Sequence, residues 1–243
     1  MSDPSGPDSV GQLPTNPSYP CSLKVSRRFR FKGHAEDKLL KGLQEIYLVR
    51  HGETAWSLSG QHTGLTDLPL TQRGEWNARR LGERLKELKF VRVFTSPLQR
   101  ARRTCELAGF GPLAEIDPDL LEWNYGNYEG LSTQEIRARR PDWELFRDGF
   151  PGGESFEKIG ARADRVVHRV RSVDGGVLLF SSGHFLRVLA ARWLGLEAVG
   201  ARYFLLGTAS LSTLTYEHGP SEPALGLWND TRHLSAQCPE KSK

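Results

Sequence analysis

Short apolar runs alternate with longer periodic stretches along most of the chain, from about residue 44 onward. The runs at 44–50, 91–95 and 177–180 predict buried strands, because they are short, apolar and bounded by polar or glycine residues. The stretches between them carry apolar residues every three or four positions, which predicts helices with one buried face. These apolar stripes are Ala78, Leu81, Leu85 and Leu88; Phe156, Ile159, Ala163, Val166 and Val170; and Leu186, Leu189 and Trp193.

Polar residues of the kind that cap helices stand where several of these stretches begin. Ser, Thr and Asp are favoured there because their side-chain oxygens accept from backbone N–H groups of the first turn. The predicted caps are Thr71, Ser96 (with Pro97 as the first helical residue), Ser132 (in a capping box with Glu135) and Ser155.

The order of the predicted elements indicates the fold class. Strands that alternate with helices are typical of an α/β protein, here a three-layer α/β/α sandwich with a mostly parallel central sheet. Near the end of the chain, residues 211–216 and 224–228 flank Gly219 and Pro220, which predicts a hairpin. No internal repeat interrupts this pattern.

The first strand ends at Arg50, His51 and Gly52. In open parallel sheets, ligand crevices lie at the carboxyl ends of strands. A permanent guanidinium beside an imidazole that can be neutral suits a phosphate ester, with His51 as the nucleophile. Arg100 lies at the start of the helix after the strand 91–95, where backbone donors also favour an anion.

Glu122 lies in an aromatic stretch with Trp123, Tyr125 and Tyr128. Partial removal from water favours the protonated carboxyl, which could then act as a general acid on a leaving alcohol. The aromatic side chains either line a pocket or belong to the core, and the sequence leaves this choice open.

These motifs resemble those of the histidine phosphatase superfamily, in its phosphoglycerate-mutase-like branch. The matching runs are 50–54, 64–74, 95–104 and 121–130. The resemblance implies a phosphohistidine intermediate on His51, phosphoryl binding by Arg50 and Arg100, and proton transfer by Glu122. It also implies a phosphate contact by Ser57 and further substrate contacts by Thr63 and Gly64. Among the aromatic residues beside Glu122, Tyr125 is the candidate for a substrate contact.

The chain departs from the family pattern at Ser182. The family has a histidine before Gly183 as a second phosphate ligand, followed by an arginine that this chain keeps as Arg187. Ser182 can donate one hydrogen bond but carries no charge, so we expect it to bind phosphate more weakly. His184, two residues on, could turn into the phosphate site, contact substrate or simply begin a helix.

Composition separates the N-terminal segment from the rest of the chain. Residues 1–21 contain five prolines among Ser, Gly and Asp, and residues 22–41 contain seven Lys and Arg against two acidic residues. Such sequence cannot bury enough apolar surface to offset the entropy cost of ordering it. We therefore predict a disordered or extended segment over 1–41, a histidine phosphatase domain over 42–235 and a tail over 236–243.

The same observations indicate which partners and cofactors to expect. The basic segment is too short and unpatterned for a binding domain, so we expect neither nucleic acid nor membrane as a partner. Three cysteines without metal-site spacing, and no secretory pattern at the start, favour a reduced cytoplasmic protein without a metal or cofactor. The oligomeric state is not indicated.

The resemblance is strongest to acid-phosphatase and sedoheptulose-bisphosphatase-like members, and the Arg-Arg-Ser-Tyr motif of mutases is missing from 131–155. We therefore predict a metal-independent phosphomonoesterase acting on small phosphorylated metabolites, in particular sugar phosphates. Two alternatives remain. One is a weakened or inactive relative that binds phosphorylated ligands, and the other is a phosphoglycerate-mutase-type phosphotransferase.

Overall fold

A six-stranded sheet forms the centre of the molecule in the computed structural model, which describes residues 44–235. The predicted segment 1–41 and the predicted tail 236–243 lie outside the described residues. The strands are β1 (Ile46–Arg50), β2 (Arg92–Thr95), β3 (Ala114–Ile116), β4 (Val177–Ser181), β5 (Leu211–Tyr216) and β6 (Pro223–Asp230).

The strand order is β3-β2-β4-β1-β5-β6. The first four strands in this order run parallel, and β5 and β6 form an antiparallel hairpin that pairs with β1. The mostly parallel sheet and the terminal hairpin that the sequence predicts are both confirmed. Because β4 lies between β2 and β1, the carboxyl ends of all four parallel strands meet at one edge.

Seven α-helices in the described residues connect these strands, with short 3₁₀ turns between them. The helices are α1 (Ala55–Ser59), α2 (Gln72–Leu85), α3 (Gln99–Leu107), α4 (Thr133–Arg139), α5 (Leu145–Asp148), α6 (Phe156–Arg171) and α7 (Gly183–Trp193). Among these residues, no helix has the length and apolarity to cross a membrane.

Helices cover both faces of the sheet, and alternate residues of each strand point to opposite faces. Ile46 and Leu48 of β1 belong to a core cluster that α6 and α7 cover, whereas Tyr47 and Val49 belong to a second cluster under α2 and α3. Burying a large aliphatic side chain of this kind contributes about 1.5–3 kcal/mol. The three-layer α/β/α architecture is therefore confirmed.

Three of the four predicted helix starts are confirmed. Thr71, Ser132 and Ser155 accept hydrogen bonds from backbone N–H groups in the first turns of α2, α4 and α6. The predicted cap at Ser96 is wrong, because α3 begins at Gln99 and its cap position is Leu98.

The first turn of α3 takes its cap from another loop. The Asp67 carboxylate accepts from the Gln99 backbone N–H at 2.8 Å, and the Gln99 side chain donates to the Asp67 carbonyl at 2.6 Å. Because 32 positions separate these two residues, periodicity in the sequence could not predict their contact.

Candidate active site

The residues that the sequence singles out follow four neighbouring parallel strands. Arg50 and His51 end β1, Arg100 follows β2, Glu122 follows β3, and Ser182 follows β4. Parallel strands place these positions at the same edge of the sheet, where crevices form. We call Arg50, His51, Arg100 and Ser182 the strand-end cluster.

The His51 ring is buried and held in one orientation. Its Nδ1 lies 2.8 Å from the carbonyl oxygen of Gly52, which can only accept, so the proton of the neutral ring sits on Nδ1 and the lone pair on Nε2. Burial lowers the pKa of His51 well below 6.5, and the charges of Arg100 and Arg50 lower it further. The imidazole is therefore neutral near neutral pH, as a nucleophile must be.

Arg100 is fully buried and is oriented by the loop that contains Thr63 and Gly64. Its terminal nitrogens donate to the carbonyls of Thr66 at 2.9 Å, Gly64 at 2.7 Å and Thr63 at 3.2 Å. The structure thus brings Thr63 and Gly64 to the site through their carbonyls, as supports of an arginine. Whether they also touch substrate stays a prediction.

Glu129 holds that same loop in place. Its carboxylate accepts from the backbone N–H groups of Gly64 at 2.8 Å and Thr66 at 3.1 Å. A side chain at Gly64 would collide with this carboxylate at 2.5 Å and with the Trp123 carbonyl at 2.7 Å. Glycine is therefore required by the close approach of two loops.

Thr104 links the helix of Arg100 to the loop of His51. Its buried hydroxyl donates to the Arg100 carbonyl at 2.7 Å and accepts from the Gly52 backbone N–H at 2.9 Å. The sequence offered one clue to this role, because Thr104 ends the same motif that contains Arg100.

Arg50 packs against the start of α7. Its guanidinium donates to the Leu206 carbonyl, and a side chain at Gly183 would approach the Arg50 Cζ and Nε at 3.1 Å. Burial lowers the pKa of Arg50, whereas Glu122 and Tyr125 raise it. Glycine at 183 thus leaves room for the guanidinium beside the helix N-terminus.

Ser182 occupies the cap position of α7, but its hydroxyl does not cap the helix. In the described part of the chain, only four buried side-chain polar atoms lack a hydrogen-bond partner, namely Arg50 Nε, Arg100 Nε, Ser182 Oγ and His233 Nδ1. Three of the four belong to the strand-end cluster. An unpaired buried polar group costs about 1–3 kcal/mol, so a ligand that accepts hydrogen bonds from these atoms would be stabilised at this cluster.

Glu122 takes over the capping role that Ser182 leaves open. Its Oε1 accepts from the N–H groups of Trp123 at 2.8 Å and Phe185 at 2.7 Å, and its Oε2 accepts from His184 at 3.0 Å. The carboxylate is buried between the N-terminus of α7 and the strand-end cluster. A carboxylate has about four acceptor positions, so Oε2 keeps room for one more contact.

His184 and Tyr125 form a direct hydrogen bond of 2.5 Å between Nδ1 and the phenol. Their rings pack with Phe146 and His62, and we call these four residues the aromatic cluster. Burial raises the pKa of Tyr125 well above 10.0 and lowers the pKa of His184 well below 6.5. The phenol therefore donates, and the neutral His184 carries its proton on Nε2.

Ser57 is used locally in the structure. Its hydroxyl accepts from the Thr54 N–H at 2.9 Å and donates to the Thr54 carbonyl at 3.0 Å, within the capping box of α1. The predicted phosphate contact would require this hydroxyl to exchange a partner, and it stays a prediction.

One group of metal-binding residue types lies close together in the described range, in the turn between β5 and β6. It consists of Glu217, His218 and Glu222, all exposed. Because β5 begins beside Val49 and ends beside Ile46, this turn lies at the edge of the sheet opposite His51. It therefore takes no part in the candidate active site.

Comparisons with known proteins give a consistent result. The family model for the histidine phosphatase superfamily (branch 1) matches residues 46–231. An acid phosphatase of Mycobacterium tuberculosis is 40% identical over 198 residues, which cover 79% of this chain and 96% of the relative. A sedoheptulose 1,7-bisphosphatase of Saccharomyces cerevisiae is 40% identical over 182 residues, covering 61% and 67% of the two chains.

A solved structure supports the same relationship. The product of open reading frame Rv3214 from Mycobacterium tuberculosis superposes with a TM-score of 0.73 at 38% sequence identity. The match covers 76% of this chain and 97% of that one.

Proposed function

Because this chain belongs to the histidine phosphatase superfamily, we propose that it hydrolyses phosphate esters of sugars, without a metal, through a phosphohistidine on His51. That it is a phosphoric monoester hydrolase follows from the family and from relatives named as phosphatases. The metal-independent phosphohistidine route is the part that we propose from the site.

One observation carries the proposal. The buried donors Arg50 Nε, Arg100 Nε and Ser182 Oγ have no partner, and they share the strand-end cluster with a neutral histidine. A phosphoryl group offers several acceptor oxygens together with the negative charge that two guanidiniums require. It would satisfy the three unpaired donors with one ligand.

The first chemical step uses His51. Its Nε2 lone pair attacks phosphorus while the Gly52 carbonyl holds the opposite ring nitrogen, so the positive charge that develops on the ring is stabilised by that hydrogen bond. Arg50 and Arg100 stabilise the negative charge on the phosphoryl oxygens in the transition state. The P–O bond to the sugar breaks, and the phosphoryl group is left on His51.

Glu122 is the proposed proton donor to the leaving group. In the protonated form, its Oε2 gives a proton to the departing sugar oxygen, and the resulting carboxylate then takes a proton from the water that attacks the phosphohistidine. The His184 and Phe185 amides hold the carboxyl group in position throughout. Water attack releases inorganic phosphate and regenerates neutral His51.

Because serine stands at position 182, we propose that the enzyme is slow. Serine supplies one neutral donor where the family pattern has a histidine. Loss of one preorganised donor typically lowers kcat by about 10²–10³. The same observation favours the second candidate function, in which the protein binds phosphorylated ligands and turns them over barely or not at all.

Sugar phosphates are the proposed substrates because one of the similar proteins is a sedoheptulose 1,7-bisphosphatase. The aromatic cluster beside Glu122 is also compatible with a hydroxylated carbon chain, since it presents neutral hydrogen-bonding groups and ring faces.

Hydrolysis of an aryl phosphate by wild type and His51→Ala tests the mechanism. We expect turnover in wild type only, with phosphate trapped on the protein by rapid quenching and stable to alkali but labile to acid. His168→Ala, which removes an exposed histidine of α6, is the matched control and should keep both properties. Retained turnover in His51→Ala would contradict the assignment. Ligand binding without turnover in wild type would favour the second candidate.

A further inference from the structure

The chain segment that leads into β5 contacts the backbone of His51, and we call residues 205–210 the 205–210 loop. Its Ala209 N–H donates to the His51 carbonyl at 3.0 Å. On the other side, the His51 N–H donates to the Ser181 carbonyl of β4 at 2.9 Å. Because Ala209 makes one of these two main-chain bonds, the position of the proposed nucleophile depends on the course of this loop.

Ala209 has a backbone conformation that alanine rarely adopts. Its φ is 52°, in the left-handed region, where Cβ crowds the backbone. Within the described residues, the other residue besides glycine with a positive φ is Asn229, and asparagine tolerates this region better. Such a conformation persists where the surrounding contacts fix it. The 205–210 loop therefore depends on contacts from outside the loop.

The chain segment from Trp228 to His233 supplies such contacts, through its side chains and to alternate residues of the loop. The bonds run from Trp228 Nε1 to the Leu205 carbonyl at 2.7 Å, from the Gly207 N–H to Asn229 Oδ1 at 2.7 Å, and from His233 Nε2 to the Ala209 carbonyl at 2.9 Å. Because each bond joins a side chain to the main chain of the loop, one substitution removes one bond and leaves the loop sequence unchanged.

Of the three side chains, His233 is the one that bonds to Ala209. A carbonyl oxygen can only accept, so Nε2 carries the ring proton and Nδ1 is a buried acceptor without a partner. Burial lowers the pKa of His233 below 6.5, so the ring is neutral near neutral pH. An unpaired buried acceptor is destabilising, so the second ring nitrogen contributes nothing favourable here. The polar contact of this side chain is thus directed at the Ala209 carbonyl.

The two bonds of Ala209 fix both peptide groups that adjoin it. One bond holds its N–H against the His51 carbonyl, and the other holds its own carbonyl against His233. Without the His233 bond, the carbonyl could rotate toward a more common conformation, because the left-handed φ would lose a contact that holds it. That rotation would also displace the N–H that holds His51. A displacement of about 1 Å at a reacting group can lower a rate about 10²-fold.

We propose that His233 is a positioning residue for His51 and acts through the main chain of Ala209. This inference rests on the proposed function, because it takes His51 as the nucleophile. The role needs no contact between His233 and the phosphoryl group. By fixing the 205–210 loop, His233 keeps the Nε2 lone pair of His51 aligned with phosphorus.

The other two bonds allow this role to be separated from phosphate binding. Trp228 and Asn229 hold the loop on either side of Leu206. The Leu206 carbonyl accepts from the Arg50 guanidinium, so these bonds keep Arg50 in place when His233 is substituted. We therefore expect loss of the His233 donor to slow phosphoryl transfer and to leave the binding of inorganic phosphate unchanged.

The test compares wild type with His233→Met and His233→Gln. Glutamine can place an amide N–H near the position of Nε2, whereas methionine has a similar length and no donor. The substrate is p-nitrophenyl phosphate, whose leaving group needs no proton. Trp193→Phe is the matched control, because it removes a side-chain donor to the Thr215 carbonyl, at the end of β5 remote from His51.

In His233→Met, we expect kcat to fall about 10- to 100-fold, with the Ki of inorganic phosphate unchanged. His233→Gln should recover most of kcat, and Trp193→Phe should change neither quantity. The proposal would be overturned by a wild-type kcat in His233→Met, by an equal loss of kcat in His233→Gln or Trp193→Phe, or by a parallel rise in Ki.

A measurement that does not depend on turnover keeps this result separate from the proposed function. The ring signal of His51 in an NMR spectrum, identified by its absence in His51→Gln, should shift in His233→Met and return in His233→Gln. If wild type does not hydrolyse the ester, the phosphatase mechanism fails, and the His51 signal alone decides the positioning role. An unshifted signal in His233→Met would overturn that role. If His233→Met does not fold, the same measurements on His233→Phe, whose ring also lacks a donor, decide.

Discussion

The strand-end cluster and the aromatic cluster are neighbours, but they differ in whether their buried polar atoms have hydrogen-bond partners. The strand-end cluster leaves Arg50, Arg100 and Ser182 each with a buried atom that has no partner. In the aromatic cluster, Tyr125 bonds to His184, and His62 lies 3.2 Å from the Thr133 hydroxyl. The first region thus has buried donors available to a ligand, whereas the second pairs Tyr125, His184 and His62 within the protein.

This difference separates two tasks of an active site. Unpaired donors lower the stability of the free protein and raise the free energy gained when an anion binds. A satisfied cluster keeps ring positions and tautomers fixed, so that shape and neutral hydrogen bonds can distinguish one carbon chain from another. The structure thus divides phosphate binding from recognition of the rest of the substrate.

Glu122 joins the two regions, and its substitution provides the largest test of the comparison. In Glu122→Gln, we expect kcat for an alkyl phosphate to fall about 10²–10⁴-fold, because the proton donor is lost. An aryl phosphate with a good leaving group should lose much less, since its oxygen needs no proton to depart.

Steady-state kinetics on both substrates measure this difference. Glu135→Gln, which changes an exposed capping-box carboxylate of α4, is the control. Equal losses on both substrates would mean that Glu122 acts only by holding the start of α7.

Substitution of Ser182 tests whether a missing positive charge in the strand-end cluster limits kcat. In Ser182→His, we expect kcat to rise by up to about 10²-fold, because a protonated imidazole would add a charged donor for the phosphoryl oxygens. In the parent chain, His184→Ala should lower kcat further, since it removes an imidazole only two residues from Ser182.

Steady-state kinetics of the two variants and of Ser172→His, at the exposed end of α6, would check this expectation. An unchanged or lower kcat in Ser182→His, with an unchanged thermal unfolding midpoint, would show that missing charge at position 182 does not limit the rate.

The aromatic cluster predicts a smaller effect, on stability as a function of pH. His62 has a pKa of about 4 in the folded protein, against 6.5 ordinarily, because burial disfavours its charged form. Between these two values the unfolded chain binds more protons, so the free energy of unfolding should decrease as the pH falls from 6.5 toward 4. We expect His62 to contribute on the order of 1 kcal/mol to this decrease.

Denaturant unfolding at several pH values would measure that slope in wild type and His62→Gln. The variant should show a flatter dependence over this range, whereas His168→Gln should not. An identical slope in wild type and His62→Gln would contradict a neutral, buried His62.

The sequence predicts the strand-end cluster better than the aromatic cluster for a physical reason. His51 and Arg100 lie in short motifs directly after strands, so local pattern and strand direction place them at the same edge of the sheet. Glu122 meets the amides of His184 and Phe185 only because two distant segments converge, and no local pattern reports that contact. The same holds for Asp67, which caps α3 in place of the predicted Ser96.

Arg187 illustrates a second limit of sequence reasoning. Its position in the family pattern is visible in the sequence, but its contacts with the Ala201 carbonyl and the Phe146 ring depend on segments that only the fold brings together. Ser57 is the opposite case. Its hydroxyl bonds to Thr54 in a capping box, and a contact between residues three positions apart can be predicted from the sequence alone.

The loop that supports Arg100 limits how the substrate range of this protein can be changed. Residues 63–67 are tied to α3 by the carbonyl contacts of Arg100 and by the cap from Asp67, and to a third segment by Glu129. A substitution that moves the backbone of this loop, such as any side chain at Gly64, would also displace the arginine, because Arg100 is held by main-chain carbonyls. Diversity is better placed on the surface around Tyr203 and Leu205, which are largely exposed and adjoin the segment that holds Arg50.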